Sequence, residues 1–404
     1  MRLKEQDIHR QLNPSLANQS SRPLRGTSRR CGKVLLQQIM RLLTNRGVAE
    51  KQIIYINKEL FEFDAIKDYR LLHDYVTKET FPGKSKTYVF VDEIQEIESW
   101  ERAVNSLLAK GSYDLFITGS NARMLSSELA TLLSGRFVEF RMHTLLYSEF
   151  KELLQVNEQS TGESDFDRFL KYGGFPGLHC LKLNDTVVRQ YLHSVYNTVL
   201  LRDIIVRNNI RDATMLDSVT KYLIDNCGNI TSAKSISQYM KSQQRKVSVD
   251  TVLNYIHYSC NAMVFEQVKR YDLKGKRHLE THEKYFLSDV GFRFATLGFT
   301  PQAISGQLEN IVFLELISRG YVVSIGKIGD KEIDFVAEQG ANKVYIQVCA
   351  NLTDEKVIQR EYGALEQVKD HFPKMVLSLD KGFDTSRKGI QWMNIEDFLL
   401  TKMH

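Results

Sequence analysis

Two carboxylates close a short apolar run at Tyr88-Val89-Phe90-Val91-Asp92-Glu93. A buried strand that ends in a pair of acids presents them at one end of a sheet. There the first can hold the shell of a magnesium ion and the second can polarise an attacking water. Upstream, Arg29-Arg30-Cys31-Gly32-Lys33 precedes an amphipathic stretch, where helix-start N–H groups and a lysine suit a phosphate. Downstream, Leu115-Phe116-Ile117-Thr118-Gly119-Ser120-Asn121 is a strand-like run that ends in small polar groups able to touch a γ-phosphate or its water. Leu133-Ser134-Gly135-Arg136 then puts an arginine just before the next apolar run. An acidic pair at a strand tip is by itself usually a solvated loop, so the weight lies in the order of all four features. That order assigns phosphate contacts to Gly32, Lys33, Ser120 and Asn121, metal binding to Asp92, and water activation to Glu93, with ATP and Mg2+ as cofactors.

These residues need a scaffold. Residues 53–56, 88–91, 115–117 and 137–140 read as short strands, while 34–43 and 100–109 carry apolar residues at three-to-four spacing. Strands alternating with helices predict a parallel sheet covered by helices. The polar stretch 155–165 marks the end of this first domain. Residues 166–227 then read as mainly helical, interrupted at Gly173-Gly174-Phe175-Pro176-Gly177.

Between 230 and 287 the pattern predicts a helix at 236–240, a polar turn, a second helix capped by Ser248, and two strands at 264–271 and 284–287. Helix, turn, helix and basic ribbon is the order of a winged helix. Arg245 and Lys246 precede the second helix, and Lys269, Arg270, Lys274, Lys276 and Arg277 line the ribbon, where they would meet duplex DNA phosphates. The plainer alternatives are basic residues that solubilise a hairpin, and a winged helix that docks a protein.

The last unit begins after the shift in composition at 298–306, with a helix at 308–317 and strands at 321–325, 332–337 and 343–348. Glu309 and Glu315 lie on the helix, Glu332-Ile333-Asp334 on a strand, and Ile346-Gln347-Val348-Cys349 on the next. This order resembles the PD-(D/E)-x-K nucleases, in which two strand acids bind magnesium and a lysine orients water. Here Gln347 replaces the second acid and Cys349 the lysine. Glutamine lacks the negative charge a divalent ion wants, and a buried thiol cannot replace an ammonium. Glu309, Asp334, Gln347 and Cys349 are therefore expected to be a vestige in which Asp334 with Glu309 holds at most a weak metal, serving recognition of a partner or nucleic acid rather than phosphodiester cleavage, with Cys349 a core thiol.

From Gly26 onward the chain resembles predicted AAA-type ATPases whose P-loop domain is followed by a restriction-endonuclease-like C-terminal domain. Arg29 to Lys33 looks like the Walker A core, Val91-Asp92-Glu93-Ile94-Gln95 like Walker B, and Ile117 to Asn121 like the sensor strand. Leu133-Ser134-Gly135-Arg136, Gly173-Gly174-Phe175-Pro176 and Leu201-Arg202-Asp203-Ile204 are also similar to stretches of that family. The resemblance implies that Arg136 is a catalytic finger offered to a neighbouring subunit, hence a homo-oligomer. The chain departs from the Walker A consensus at Thr27, where glycine is usual, and at Val34, where a hydroxyl normally meets magnesium. Residues 16–25 also hold no apolar run to form the strand that feeds such a loop.

The chain has 404 residues, enough for two or three domains; 43% are apolar and 25% charged, which excludes fibrous and disordered classes. Lys plus Arg number 54 against 49 acids, a net +5 that restricts any nucleic-acid contact to a local patch. The five cysteines are never in C-x-x-C spacing, so neither a zinc ribbon nor a disulfide framework is expected, and the chain is read as cytoplasmic. No apolar run reaches the 18 or so residues of a membrane span. The expected fold is α/β. It comprises a P-loop NTPase (AAA-like) parallel sheet at 1–154, a helical lid at 155–229, a winged-helix-like segment at 230–298 and a nuclease-like α/β domain at 299–404. The expected function is ATP binding, with ATPase activity weakened or lost. The alternative is a non-enzymatic DNA- or protein-binding module on a degenerate nucleotide fold.

Overall fold

The computed structural model describes residues 31–83, 85–119, 140–156, 164–275, 277–382 and 386–401. The chain divides into two compact units between Met142 and His143.

The first unit runs α1 (Cys31–Asn45), β1 (Ile53–Asn57), α2 (Tyr69–Glu79), β2 (Thr87–Asp92), α3 (Trp100–Ala109) and β3 (Tyr113–Ile117). The strands form a parallel sheet in the order β1-β2-β3. Five of the six β2 residues are buried because a central parallel strand is covered on both faces. Val89 and Val91 face α2 and α3, packing with Leu72, Val76, Val104 and Leu107. Phe90, on the opposite face by the two-residue alternation, packs with Leu36, Ile39 and Leu43 of α1, whose spacing is that of one helical face. Phe90 stacks on Phe116 at 4.7 Å. Both helix layers thus grip the strand that ends in Asp92. The strand expected at 137–140 lies, apart from Phe140, outside the described residues.

The second unit opens with α4 (Tyr147–Val156), α5 (Asp165–Tyr172) and α6 (Asp185–Thr198), which continues as a π-helical stretch over Val199–Val206; α7 (Ala213–Asp225) follows. The sequence puts α4 in the first domain, but Tyr147, Phe150 and Leu154 pack with Phe166, Phe169 and the core of the second unit. Next come β4 (Ile230–Thr231), α8 (Ala233–Ser242), α9 (Val249–Asn261), β5 (Phe265–Asp272), β6 (Arg277–Leu287) and α10 (Gly291–Leu297). Ser248 caps α9, its side chain accepting from Thr251 N. The unit closes with α11 (Ile304–Ser318), β7 (Val322–Ile328), β8 (Lys331–Gln339), β9 (Asn342–Val348), α12 (Glu355–Leu365), β10 (Lys374–Ser378), β11 (Ser386–Arg387), β12 (Ile390–Asn394) and α13 (Ile395–Leu400).

One nine-stranded sheet, ordered β11-β12-β10-β9-β8-β7-β5-β6-β4, spans this unit. The ribbon expected to project as a wing is joined to the last domain by parallel pairing of β5 with β7, Arg270 opposite Ile325 and Asp272 opposite Lys327. Burial explains the join, since Val268 and Phe286 share a core with Phe313, Ile325 and Phe335. α11 lies against this core and is buried from Asn310 through Leu316.

The Gly-Gly-Phe-Pro turn has a packing cause. Gly173 ends α5 at φ 77°, ψ −169°, a conformation open to glycine. Gly174 N donates to Asp289 Oδ2 at 2.9 Å and Gly291 N donates to Asp289 Oδ1 at 2.8 Å. A Cβ at Gly173 would sit 1.8 Å from Asp289 Oδ1, and one at Gly174 would sit 2.0 Å from the Leu145 carbonyl oxygen. The glycines let three backbone segments close on one buried carboxylate.

Burial pushes the Asp289 carboxyl up to about 6, against the opposing hydrogen bonds from Thr144, Gly291 and Gly174. A group raised from an unfolded value of about 3.9 binds more protons folded than unfolded in between. It therefore adds stability as pH falls from about 6 towards 4 and loses it as pH rises. His179 acts oppositely, because burial and then Arg168 lower it from 6.5 to about 4. The difference between wild type and Asp289→Asn isolates the carboxylate. Relative to the variant, wild type should gain up to about 3 kcal/mol between pH 7 and pH 4 in urea melts. A pH-independent difference would show that burial does not raise this group.

Candidate nucleotide site

Asp92, 4% exposed, ends β2 and its Oδ1 accepts from Thr118 Oγ1 at 2.5 Å. Thr118 stands one residue beyond β3 and extends the ladder, its N–H donating to Val91 O at 2.9 Å. The same hydroxyl accepts from Glu93 N at 3.4 Å, so one side chain fixes the carboxylate of the first acid and the backbone of the second. Glu93 is left-handed at φ 58°, ψ 48°, which turns the chain sharply out of the strand. That conformation costs a non-glycine residue roughly 1–2 kcal/mol, and such strain concentrates at working sites. Gln95 Nε2 donates to Glu93 Oε2.

The start of α1 lies against the same strand tips. A Cβ at Gly32 would come within 3.0 Å of Thr118 Cγ2, so the helix approaches this closely because position 32 is glycine. Lys33 follows in the first turn, half-buried. On the other side of Asp92, Asn57 is its register partner across β1–β2 and is fully buried. Asn57 Oδ1 accepts from Glu59 N at 2.9 Å, while its Nδ2 has no hydrogen-bond partner among the described residues. Burial, then Asp92 and Glu59, pushes the Tyr55 hydroxyl up to about 12.

These groups suit a magnesium nucleotide. The helix start offers N–H groups and partial positive charge to phosphate, Asp92 offers a hard oxygen, and Asn57 offers a buried donor beside it. Val34 adds only methyl groups where a hydroxyl would meet the ion. The sequence places Thr118 in the sensor strand but gives the sensing role to Ser120 and Asn121, and the hydrogen bond of Thr118 to Asp92 is visible only in the structure. Ser120, Asn121 and Arg136 lie outside the described residues.

The second unit gathers another polar cluster. Lys284 of β6, 2% exposed, places Nζ 3.0 Å from Glu309 Oε2, 2.8 Å from Glu332 Oε1 and 3.8 Å from Asp334 Oδ1. Burial opposes the Lys284 charge, but Glu309, Asp334 and Glu332 together raise its pKa. Glu309 and Asp334 both lie near one ammonium, that of a lysine the sequence did not single out. Gln347 Oε1 accepts from Asp334 N at 3.1 Å. Cys349 belongs to a different core with Tyr362 and Val376, and burial raises its thiol. Glu315 is engaged elsewhere, with Arg319 at 2.7 Å.

Of the basic residues, Arg245, Lys246, Lys269, Lys274 and Arg277 are exposed and Arg270 is half-buried; Lys276 lies outside the described residues. Among the described residues no group of three or more His, Cys, Asp or Glu has the geometry to hold a metal ion, and no helix is long and apolar enough to cross a membrane.

A helix start meeting the acid-tipped strand of a parallel sheet is the arrangement of a nucleotide-binding ATPase domain, and the AAA domain family matches residues 24–151. The first unit carries an AAA domain. A domain of unknown function (DUF8612) matches residues 163–303. An uncharacterized protein of Haemophilus influenzae is 35% identical over 374 residues, 92% of each chain. The uncharacterized protein MJ1544 of Methanocaldococcus jannaschii is 30% identical over 319 residues, 74% of this chain and 70% of that one. The chain belongs to one family with these two proteins. Among solved structures, the Walker-type ATPase PABY2304 of Pyrococcus abyssi is 13% identical, with a TM-score of 0.40 over 73% of this chain and 95% of that one.

Proposed function

We propose that the first unit binds ATP with Mg2+ between the start of α1 and the tips of β2 and β3. Gly32 and Lys33 hold the phosphates, Asp92 the metal, Glu93 the water, and Ser120 and Asn121 the γ-phosphate end. Arg136 reaches the nucleotide of a second copy of the chain. The contact of Gly32 with Thr118, whose hydroxyl holds Asp92, is the observation that carries this reading. The metal, where bound, supplies charge neutralisation on the phosphates. This chain's residues orient it through the Thr118–Asp92 hydrogen bond, and the missing hydroxyl at Val34 favours binding with weakened hydrolysis. Titration of the full chain with a fluorescent ATP analogue, with Mg2+ or with EDTA, tests it. Saturable binding that weakens in Lys33→Ala is expected. Absence of saturation, or indifference to Lys33→Ala, would leave the competing reading of a binding module without nucleotide.

A second role rests on the exposure of Arg245, Lys246, Lys269, Lys274 and Arg277 around α9 and the β5–β6 hairpin. We infer that this winged-helix-like face contacts duplex DNA through phosphates, with the nuclease-like segment serving recognition rather than cleavage. Reversing Lys274, Lys276 and Arg277 to glutamate should abolish low-salt duplex binding in a mobility shift and flatten its salt dependence. Unchanged affinity would assign these charges to solubility and favour a protein partner.

A further inference from the structure

The cluster in the second unit differs from the vestige the sequence describes. Three carboxylates, from α11 and β8, converge on one ammonium that arrives from β6, outside the helix-and-strand order that carries the acids. Lys284 reaches them because β5 pairs with β7 and so joins the β5–β6 hairpin to the sheet that carries Asp334. An ammonium has three donors and no acceptor, and here a buried ammonium is ringed by three carboxylates, of which Glu332 remains partly open to solvent.

We propose that Lys284 takes the place of the divalent cation in a nuclease-type centre, closing it to metal and making the second unit a metal-independent scaffold. Two alternatives fail on the geometry. Lys284 is not a relocated water-orienting lysine, because its ammonium is held between Glu309 at 3.0 Å and Glu332 at 2.8 Å, with Asp334 3.8 Å away as a third negative charge. Nor is the cluster a metal site with a lysine beside it, since the ammonium already stands between the Glu309 and Glu332 oxygens, where a cation bridging them would have to sit. The remaining groups are turned away from any ion. Asp334 Oδ2 accepts from Val348 N at 2.8 Å, and Gln347 spends its carbonyl oxygen on Asp334 N. Gly228 leaves room for this packing, a Cβ there lying 3.2 Å from Glu309 Oε2. The charge that a metal would bring from solution is built covalently into the chain, at the cost of chemistry and to the benefit of a fixed joint between two parts of the sheet.

The test uses the full chain carrying Asp92→Asn, so that the first unit contributes no ion site. Mn2+ binding is followed by electron paramagnetic resonance and by melting temperature. With Lys284 present, no Mn2+ site that Asp334→Asn removes is expected. Such a site would overturn the proposal. Lys284→Met should create one: Mn2+ at about a hundredfold excess over its dissociation constant should raise the melting temperature by about 5 °C, and adding Asp334→Asn should abolish the rise. A folded Lys284→Met protein without a Mn2+ response overturns the proposal. If the variant does not fold without metal, Mn2+ should restore folding, and failure to do so overturns it equally.

Discussion

Asp92→Asn should abolish the magnesium dependence of nucleotide binding while leaving the first unit folded. The substitution keeps the shape, and the amide oxygen can still accept from the Thr118 hydroxyl that now holds Oδ1 at 2.5 Å. It removes the formal charge that draws a hard cation to oxygen. Wild type should bind a fluorescent ATP analogue more tightly in Mg2+ than in EDTA. The variant should bind alike in both, at an affinity lower by on the order of 10²-fold in Mg2+, comparable to the loss of a metal-orienting contact. Any turnover should fall at least as far, since the charge opposite the phosphates goes with the ion. Circular dichroism and the melting temperature of the first unit should stay near wild type. A variant that retains its Mg2+ dependence would remove Asp92 from the site and leave the strand tip as a solvated turn.

Much of the first unit was legible from local patterning. The runs at 53–56, 88–91 and 115–117 fall inside β1, β2 and β3 because a parallel strand buried on both faces must be apolar nearly throughout. α1 and α3 appear through three-to-four spacing. The site was less legible. Thr118 lies in the sensor-strand stretch, but its hold on Asp92 has no sequence signal, because it comes from standing across from Asp92 on the neighbouring strand. The left-handed turn at Glu93 is invisible too, because the position holds no glycine to announce it.

The second unit shows the same division between local and distant. Ser248 as a cap, the paired helices α8 and α9 and the hairpin strands follow from spacing and turn chemistry. Only 284–287 of β6 could be read, since the first part of the strand alternates with charged residues and lacks an apolar face. The pairing of β5 with β7 leaves no local trace, because register between strands far apart in sequence is set by tertiary packing. Lys284 had a faint signal, a single charge directly before Tyr285-Phe286-Leu287. A buried charge demands partners, but its partners lie at 309, 332 and 334. The Gly173-Gly174 pair was readable as a break in a helix. Its purpose, clearance for Asp289 and Leu145, was not.

That clearance carries the largest expected effect on stability. In Gly174→Ala the new methyl would lie 2.0 Å from the Leu145 carbonyl oxygen and 2.9 Å from its carbon, backbone atoms that cannot swing aside as a side chain can. Relief requires separating the two segments, which breaks the 2.8 Å bond from Leu145 N to Gly174 O and pulls Gly174 N away from Asp289 Oδ2. The fully buried carboxylate then loses a donor it cannot replace with water, a penalty that adds to the steric one. Overpacking alone typically costs about 1–3 kcal/mol and the unsatisfied acceptor about as much again, so a loss of at least about 3 kcal/mol is expected. Gly47→Ala serves as the control. Its φ of 88° strains an alanine, but no atom lies within 4 Å of the added carbon, so the cost should stay near 1–2 kcal/mol. Urea denaturation that resolves the two units should show Gly174→Ala lowering the midpoint of the second unit alone and Gly47→Ala that of the first by less. Equal small losses would mean that the turn yields easily and that the approach of Leu145 to Gly174 does not hold the segment in place.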